Sequence, residues 1–211
     1  MQQARLLHEN AIFGDGVVLL RGFALSAATE LALQVQRVAA AAPFRHMTTP
    51  GGFRMSVEMT NCGVAGWTSD RKGYRYAALD PDSGLPWPSM PAAFLELAQG
   101  AANAAGFAGF APDACLINRY APGARMSLHQ DRDERNLEAP IVSVSLGLPA
   151  TFLFGGLKRG DRPQRVGLQH GDVVVWGGAS RLNFHGVAPL AEGSHPVVGR
   201  ERINLTLRHA L

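Results

Sequence analysis

From residue 113 onward the chain is a succession of short runs, each about as long as a β-strand and most of them stopped by glycine or proline. Residues 114–120 (ACLINRY) run into Pro122-Gly123, and 141–148 (IVSVSLGL) set Ser143 and Ser145 on one side with Val142, Val144 and Leu146 on the other. Residues 152–154 halt at Gly155-Gly156, 166–168 come next, and 172–176 halt at Gly177-Gly178. Residues 184–187 and 202–209 complete the set. Runs this short read as strands, whose period of two places alternate side chains on opposite faces. Seven or eight of them joined by tight turns close into a sandwich or barrel, such as a jelly roll.

The first half reads differently. Residues 11–22 suggest a hairpin punctuated by Gly14 and Gly16. A helix follows, with Ser26 expected as its N-cap, Leu31, Val35 and Val38 at helical spacing and a stop at Pro43. A second helix is expected from Ser89 as N-cap and Pro91 in the first turn, with Phe94, Leu97, Ala98 and Ala101 on one stripe and an end near Gly106. Between the helices, Phe53, Met55, Val57 and Met59 share one face of a strand; the rest of 44–88 reads as turn-rich. That segment carries Trp67, Tyr74, Tyr76 and Trp87 among Arg45, Arg54, Arg71, Lys72 and Arg75. Aromatic rings interleaved with cations can stack bases and meet phosphates, or can pack locally on an irregular surface.

Two helices ahead of an all-β region make the class α+β. At 211 residues, 46% hydrophobic and 18% charged, the chain is long enough for one domain with a sizeable core. It divides into an N-terminal extension and helix (1–43), the aromatic and basic segment (44–88), a supporting helix (89–107) and the β core (113–211). A net charge of +3 only permits an anionic partner. Cys62 and Cys115 form no CxxC pair, which speaks against a zinc-thiolate site or a disulfide framework and for reduced thiols. No secretory leader pattern and no apolar run near ~20 residues is present, so a cytoplasmic protein without membrane contact is expected. No long exposed apolar stripe asks for a partner, and a monomer is expected.

The chemistry concentrates in Leu128-His129-Gln130-Asp131-Arg132-Asp133. In an extended stretch His129 and Asp131 point the same way, giving two members of the 2-His-1-carboxylate triad that holds non-haem Fe(II). Among the later histidines, His170 precedes a Gly171-Asp172 turn and His195 lies in a polar loop. His185, on a short strand, is the best third ligand, although a strand histidine is more often a packed side chain. In residues 202–208 Arg202, Asn204, Thr206 and Arg208 share one face while Ile203, Leu205 and Leu207 share the other. The polar face could simply meet solvent. Its two arginines span roughly 20 Å at ~3.3 Å per residue, however, and suit a dicarboxylic acid with two distinct ends. 2-Oxoglutarate is such an acid.

Taken together, His129-x-Asp131, His185 and Arg202-x-Asn204-x-x-x-Arg208 resemble the Fe(II)/2-oxoglutarate-dependent dioxygenases of the AlkB family. Asn118-Arg119-Tyr120, residues 127–134, 140–148, 154–157 and 170–178, and Thr60-Asn61-Cys62-Gly63 leading to Trp67 are similar to its bacterial members. The resemblance spans roughly residues 44 to 209. It implies a double-stranded β-helix (jelly roll) core in which 44–88 is a nucleotide-recognition lid. It implies Fe(II) on His129, Asp131 and His185, with Arg208 completing the catalytic set. Asn118, Tyr120, Arg202, Asn204 and Arg208 would bind 2-oxoglutarate, Arg202 at the far carboxylate and Arg208 nearer the metal.

For the substrate, the resemblance implies that Trp67 stacks on an extruded alkylated base against His129. Tyr74 and Tyr76 would touch the nucleotide backbone, Asp133 the exocyclic amine, and Arg159 a phosphate or sugar, with Met55 and Met59 lining the pocket. The implied reaction consumes O2 and 2-oxoglutarate, hydroxylates the alkyl carbon on a base nitrogen, and releases aldehyde, succinate and CO2 with the repaired base. The partner would be alkylated DNA, single- or double-stranded, with RNA as a further substrate. Rival readings are a same-fold oxygenase acting on RNA or on a non-nucleic-acid substrate, and a non-catalytic nucleic-acid-binding domain. Glu134 is expected in a solvated acidic turn. Asn183 stands where the family pattern has an aromatic residue, and loop 191–201 does not match it closely.

Overall fold

A computed structural model describes residues 11–211. The start of the expected N-terminal extension lies outside the described residues. In chain order the strands and helices are β1 (Ala11–Gly14), β2 (Val17–Leu20), α1 (Ala28–Ala41), β3 (Arg45–Thr48), β4 (Arg54–Gly63), β5 (Gly66–Asp70), β6 (Gly73–Ala77), α2 (Ala92–Ala104), β7 (Ala114–Tyr120), β8 (Met126–His129), β9 (Ile141–Gly147), β10 (Ala150–Phe154), β11 (Gln164–Leu168), β12 (Val173–Trp176), β13 (His185–Val187) and β14 (Arg202–Arg208). An eight-stranded sheet runs β1-β2-β12-β9-β14-β7-β4-β3, a four-stranded sheet runs β11-β10-β13-β8, and β5 and β6 pair as a separate hairpin.

The large sheet is the middle layer. On one face Cys115, Ile117, Val142, Val144, Ile203, Leu205 and Leu207 pack with Leu31, Val35 and Val38 of α1 and Phe94, Ala98 and Ala101 of α2. On the other, Val17, Leu19, Met59, Leu116, Tyr120 and Trp176 meet Phe152, Phe154, Leu168 and Val187 of the small sheet. This layering decides between the two readings of β14. Its odd residues enter the helix-side core, and its even residues are buried between the sheets, not turned to solvent.

The structure corrects several local expectations. Neither serine caps a helix. A 3-10 turn (Leu25–Ala27) precedes α1, whose N-cap is Ala27, with no side-chain bond. Here the entry is fixed from outside, because the Ala24 N–H donates to Gly171 O at 2.8 Å and Ala24 is fully buried. The cap of α2 is Pro91, whose carbonyl accepts from Phe94 and Leu95; a proline here forfeits only an N–H that would have had no helical partner. The 60–88 region is more ordered than its turn residues suggest, since Trp67 and Tyr76 are register partners across the β5–β6 hairpin. Asn61 pins that hairpin to β4: its amide donates to Trp67 O and its carbonyl accepts from Trp67 N, both at 3.0 Å.

Candidate active site

His129 ends β8 and His185 begins β13, and the antiparallel register sets the two directly opposite one another. Glycine at 186 allows this approach, because a Cβ there would lie 2.6 Å from Met126 O. Asp131 follows two residues after His129. His129 Nε2 lies 3.6 Å from Asp131 Oδ1, and His185 Nε2 lies 3.6 Å from Asp131 Oδ2. One ligand atom from each of the three residues lies within 4.8 Å of the others. Both imidazoles place Nδ1 against a carbonyl two residues back, His129 on Ser127 O at 2.9 Å and His185 on Asn183 O at 3.0 Å. A carbonyl only accepts, so Nδ1 carries the proton and Nε2 turns a lone pair toward Asp131. Asn183 thus acts through its backbone, while its side chain donates to Ser180 Oγ at 3.3 Å.

The electrostatics keep this donor set ready for a cation. Burial opposes ionisation of Asp131, but the Arg208 guanidinium outweighs it and holds the carboxyl well below its usual range. Burial, followed by the charge of His185, pushes His129 down to about 4. Two neutral imidazoles and one carboxylate are the set that holds Fe(II) with open positions.

The His129 shift gives a pH prediction for the metal-free protein. An unfolded histidine titrates near 6.5 and folded His129 near 4, so between these values the unfolded chain takes up a proton that the folded chain refuses. This contribution to stability is full above about 6.5 and is lost as pH falls toward 4. Urea unfolding at pH 7 and pH 5 should show a smaller loss in His129→Asn than in the parent; equal losses contradict the assignment.

The inner face of β14 supplies the second half of the site. Arg202 is buried with its guanidinium 5.1 Å from the Tyr120 ring, and Nη2 donates to Ser145 Oγ at 3.0 Å. Among the described residues its Nε and Nη1, and Asn118 Oδ1 nearby on the paired strand, have no partner. A buried guanidinium with two idle donors calls for a bidentate anion. The carboxylate of an oxo-diacid fits it. Asn204 is held by Ser143 Oγ, Val144 O and Thr206 Oγ1. At the other end Arg208 donates to Asp131 Oδ2 from Nη2 at 2.6 Å and from Nε at 3.0 Å.

Glu134, expected in solvent, is instead buried. Its Oε1 accepts from Tyr76 OH at 2.8 Å and lies 3.3 Å from Arg208 Nε, and its Oε2 accepts from Arg181 Nη2 at 3.2 Å. Two guanidiniums compensate the buried carboxylate. Arg181, which the sequence did not single out, also donates to Asp131 O at 2.6 Å and so fixes the loop that presents the carboxylate. Tyr76 turns its hydroxyl into this network, and Arg208 Nη1 donates to it at 3.3 Å. Asp133 is exposed but tethered, because Trp67 Nε1 donates to its Oδ2 at 2.8 Å. Trp67 stacks on Tyr74, with centroids 5.5 Å apart and planes 16° from parallel. Arg159 donates to Leu128 O at 2.6 Å and lies over Phe184. A cleft of about 900 Å³ joins these groups: His129, Asp131 and Arg208 line it with Met55, Met59, Trp67, Tyr74 and Asp133, and Arg54, Arg125, Arg132 and Arg159 line it as well.

A two-sheet core with this triad between its layers defines a non-haem iron oxygenase, and the sequence agrees: the chain belongs to the 2OG-Fe(II) oxygenase superfamily, whose sequence model matches residues 16–208. Within it the chain is a member of the AlkB family. It is 60% identical over 195 residues to the alpha-ketoglutarate-dependent dioxygenase AlkB of Escherichia coli (strain K12), covering 92% of this chain and 90% of that protein. It is 46% identical to the AlkB homolog of Caulobacter vibrioides, over 88% and 83% of the two chains. The solved structure of OsALKBH1 superposes with a TM-score of 0.84 at 28% identity, covering 95% of this chain and 99% of that one. The protein is therefore an Fe(II)/2-oxoglutarate-dependent dioxygenase with a jelly-roll core. No helix among the described residues is long and apolar enough to cross a membrane.

Proposed function

We propose that the chain repairs DNA directly by oxidising alkyl groups off base nitrogens, with 1-methyladenine and 3-methylcytosine as the type substrates. The observation that carries this reading is one cleft lined by His129 and Asp131 of the iron triad together with a stacked Trp67–Tyr74 pair and five arginines. An oxygenase of small molecules has no use for an aromatic platform flanked by guanidiniums, whereas an extruded nucleotide needs both. His129, Asp131 and His185 would hold Fe(II). Arg202 would take the far carboxylate of 2-oxoglutarate, Asn118 and Tyr120 on the paired strand would contact the same molecule, and Arg208 would balance charge at the metal end. Bound together, iron and 2-oxoglutarate supply the O2-dependent oxidation, with succinate and CO2 as co-products.

The chain's own residues position the base. Trp67 and His129 sandwich it, Trp67 being oriented by Asp133 Oδ2. The other oxygen of Asp133 accepts from the exocyclic amine, and its charge favours the cationic ring that N-alkylation produces. Arg159 meets the backbone, and residues 44–88 act as the recognition lid. Aldehyde leaves with the hydroxylated carbon.

The test is incubation with Fe(II), 2-oxoglutarate, ascorbate and a single-stranded DNA or RNA oligonucleotide containing 1-methyladenine or 3-methylcytosine, followed by mass spectrometry. Loss of the methyl mass with succinate formation is expected. An unchanged oligonucleotide alongside continuing 2-oxoglutarate consumption overturns the repair reading. For Trp67→Ala, oligonucleotide affinity should fall roughly 5- to 100-fold, on the scale of one base–aromatic stack, with 2-oxoglutarate affinity unchanged. Equal oligonucleotide affinity refutes the stacking role.

A further inference from the structure

Stacking on one alkylated base accounts for Trp67 and Tyr74 but not for a further exposed aromatic ring that lines the cleft. Phe53 is 76% exposed and lines the same cleft. A lone exposed apolar side chain is ordinary. Phe53 is distinguished by how firmly its backbone is held. The turn between β3 and β4 closes through Thr49 N to Phe53 O at 2.8 Å, Gly52 N to Thr49 O at 2.8 Å and Phe53 N to Thr49 Oγ1 at 3.1 Å. Gly52 takes φ +84, a conformation that disfavours any other residue. The ring rests beside Gly51, where an added Cβ would stand 3.5 Å from it. The Arg71 guanidinium lies about 3.9 Å from the Cβ position of Gly52, over the same turn. Arg54 follows Phe53 directly and is exposed.

An aromatic ring left open to solvent on a hydrogen-bonded turn, with Arg54 next to it in sequence, Arg71 over the turn and an adjoining base pocket, has the composition of a single-strand stacking subsite. We propose that Phe53 stacks on a base flanking the alkylated one, while Arg54 and Arg71 face the phosphates beside it. The inference rests on the nucleotide reading of the cleft and extends it from one base to its neighbour. A flanking base can use the ring only when it is unstacked from its own neighbours, so the subsite favours single-stranded or locally melted substrate. Stacking is sequence-tolerant, because every base offers a π-face.

The experiment compares the full-length protein with its Phe53→Ala and Phe53→Trp variants on two methylated single-stranded oligonucleotides, one intact and one with abasic sites flanking the methylated base. Fluorescence anisotropy gives affinity whether or not the methyl group is removed, and steady-state assays give KM and kcat. On the intact oligonucleotide, Phe53→Ala should weaken binding and raise KM roughly 5- to 100-fold, the worth of one stack, with kcat at saturation unchanged. Phe53→Trp should restore affinity. With abasic flanks, wild type and Phe53→Ala should bind alike. Unchanged affinity of Phe53→Ala for the intact oligonucleotide overturns the proposal. So does a loss that persists undiminished with abasic flanks, since the ring would then be serving something other than a neighbouring base. A wild-type enzyme that binds but never demethylates removes the repair reading and leaves the anisotropy comparison to decide the stacking one.

Discussion

Asp131→Ala should abolish turnover and iron binding together. The carboxylate is the one anionic member of the donor set, and both histidine Nε2 atoms aim at it. Removing it leaves two neutral imidazoles beside the Arg208 guanidinium, which then repels a cation instead of being balanced. Metal-ion catalysis supplies several kcal/mol of charge stabilisation, so the expected loss in kcat/KM exceeds ~10³-fold. Asp131→Asn is the sharper variant because it keeps the shape and removes the charge, and it should be equally inactive. Isothermal calorimetry with Fe(II) under anaerobic conditions separates metal binding from turnover, and thermal melting shows whether the fold survives. Iron affinity equal to wild type in either variant would mean that another residue supplies the carboxylate.

The strands that hold these residues could be read from alternation and glycine stops because both signals are local. Residues 114–120 and 202–208 appear as β7 and β14 with the expected bounds or within one residue of them. What the sequence left open was long-range. His185 is only a strand histidine until β13 pairs with β8 and sets it opposite His129, 56 positions earlier in the chain. The polar face of β14 reads the same whether it meets water or a second sheet, and only the presence of the small sheet decides. Glu134 misled for a related reason. In Asp133-Glu134-Arg135 it looks like part of a solvated turn, and its partners Tyr76, Arg181 and Arg208 come from three distant segments. The β5–β6 hairpin did leave a trace. Trp67 pairs with Tyr76 across a tight turn at Arg71-Lys72, within a segment whose turn residues alone read as irregular. Ser26 and Ser89 matched the usual cap chemistry, yet a tertiary contact at Ala24 fixes the start of α1 and Pro91 caps α2.

Arg202→Met should separate function from stability in opposite directions. Arg202 is 1% exposed, and only its Nη2 has a hydrogen-bond partner among the described residues, the Ser145 hydroxyl. Burial draws its pKa down from the ordinary arginine range, the mark of a charge held against its solvation preference. Methionine has a similar length and no charge. The substitution removes a desolvation cost of several kcal/mol and strands one serine hydroxyl, at about 1–3 kcal/mol, so the folded metal-free protein gains stability or loses none. Affinity for 2-oxoglutarate should move the other way. Truncating one partner of a buried, hydrogen-bonded charge pair costs about 2–5 kcal/mol, which is roughly 30-fold or more in dissociation constant. Fe(II) binding, which depends on His129, Asp131 and His185 near the Arg208 end of β14, should not change. Calorimetric titration with 2-oxoglutarate and urea unfolding of the same preparations check both halves. Unaltered 2-oxoglutarate affinity would show that the far carboxylate sits elsewhere. Weakened affinity accompanied by a large loss of stability would mean that the guanidinium holds the two sheets together, and that its idle nitrogens are not waiting for a ligand.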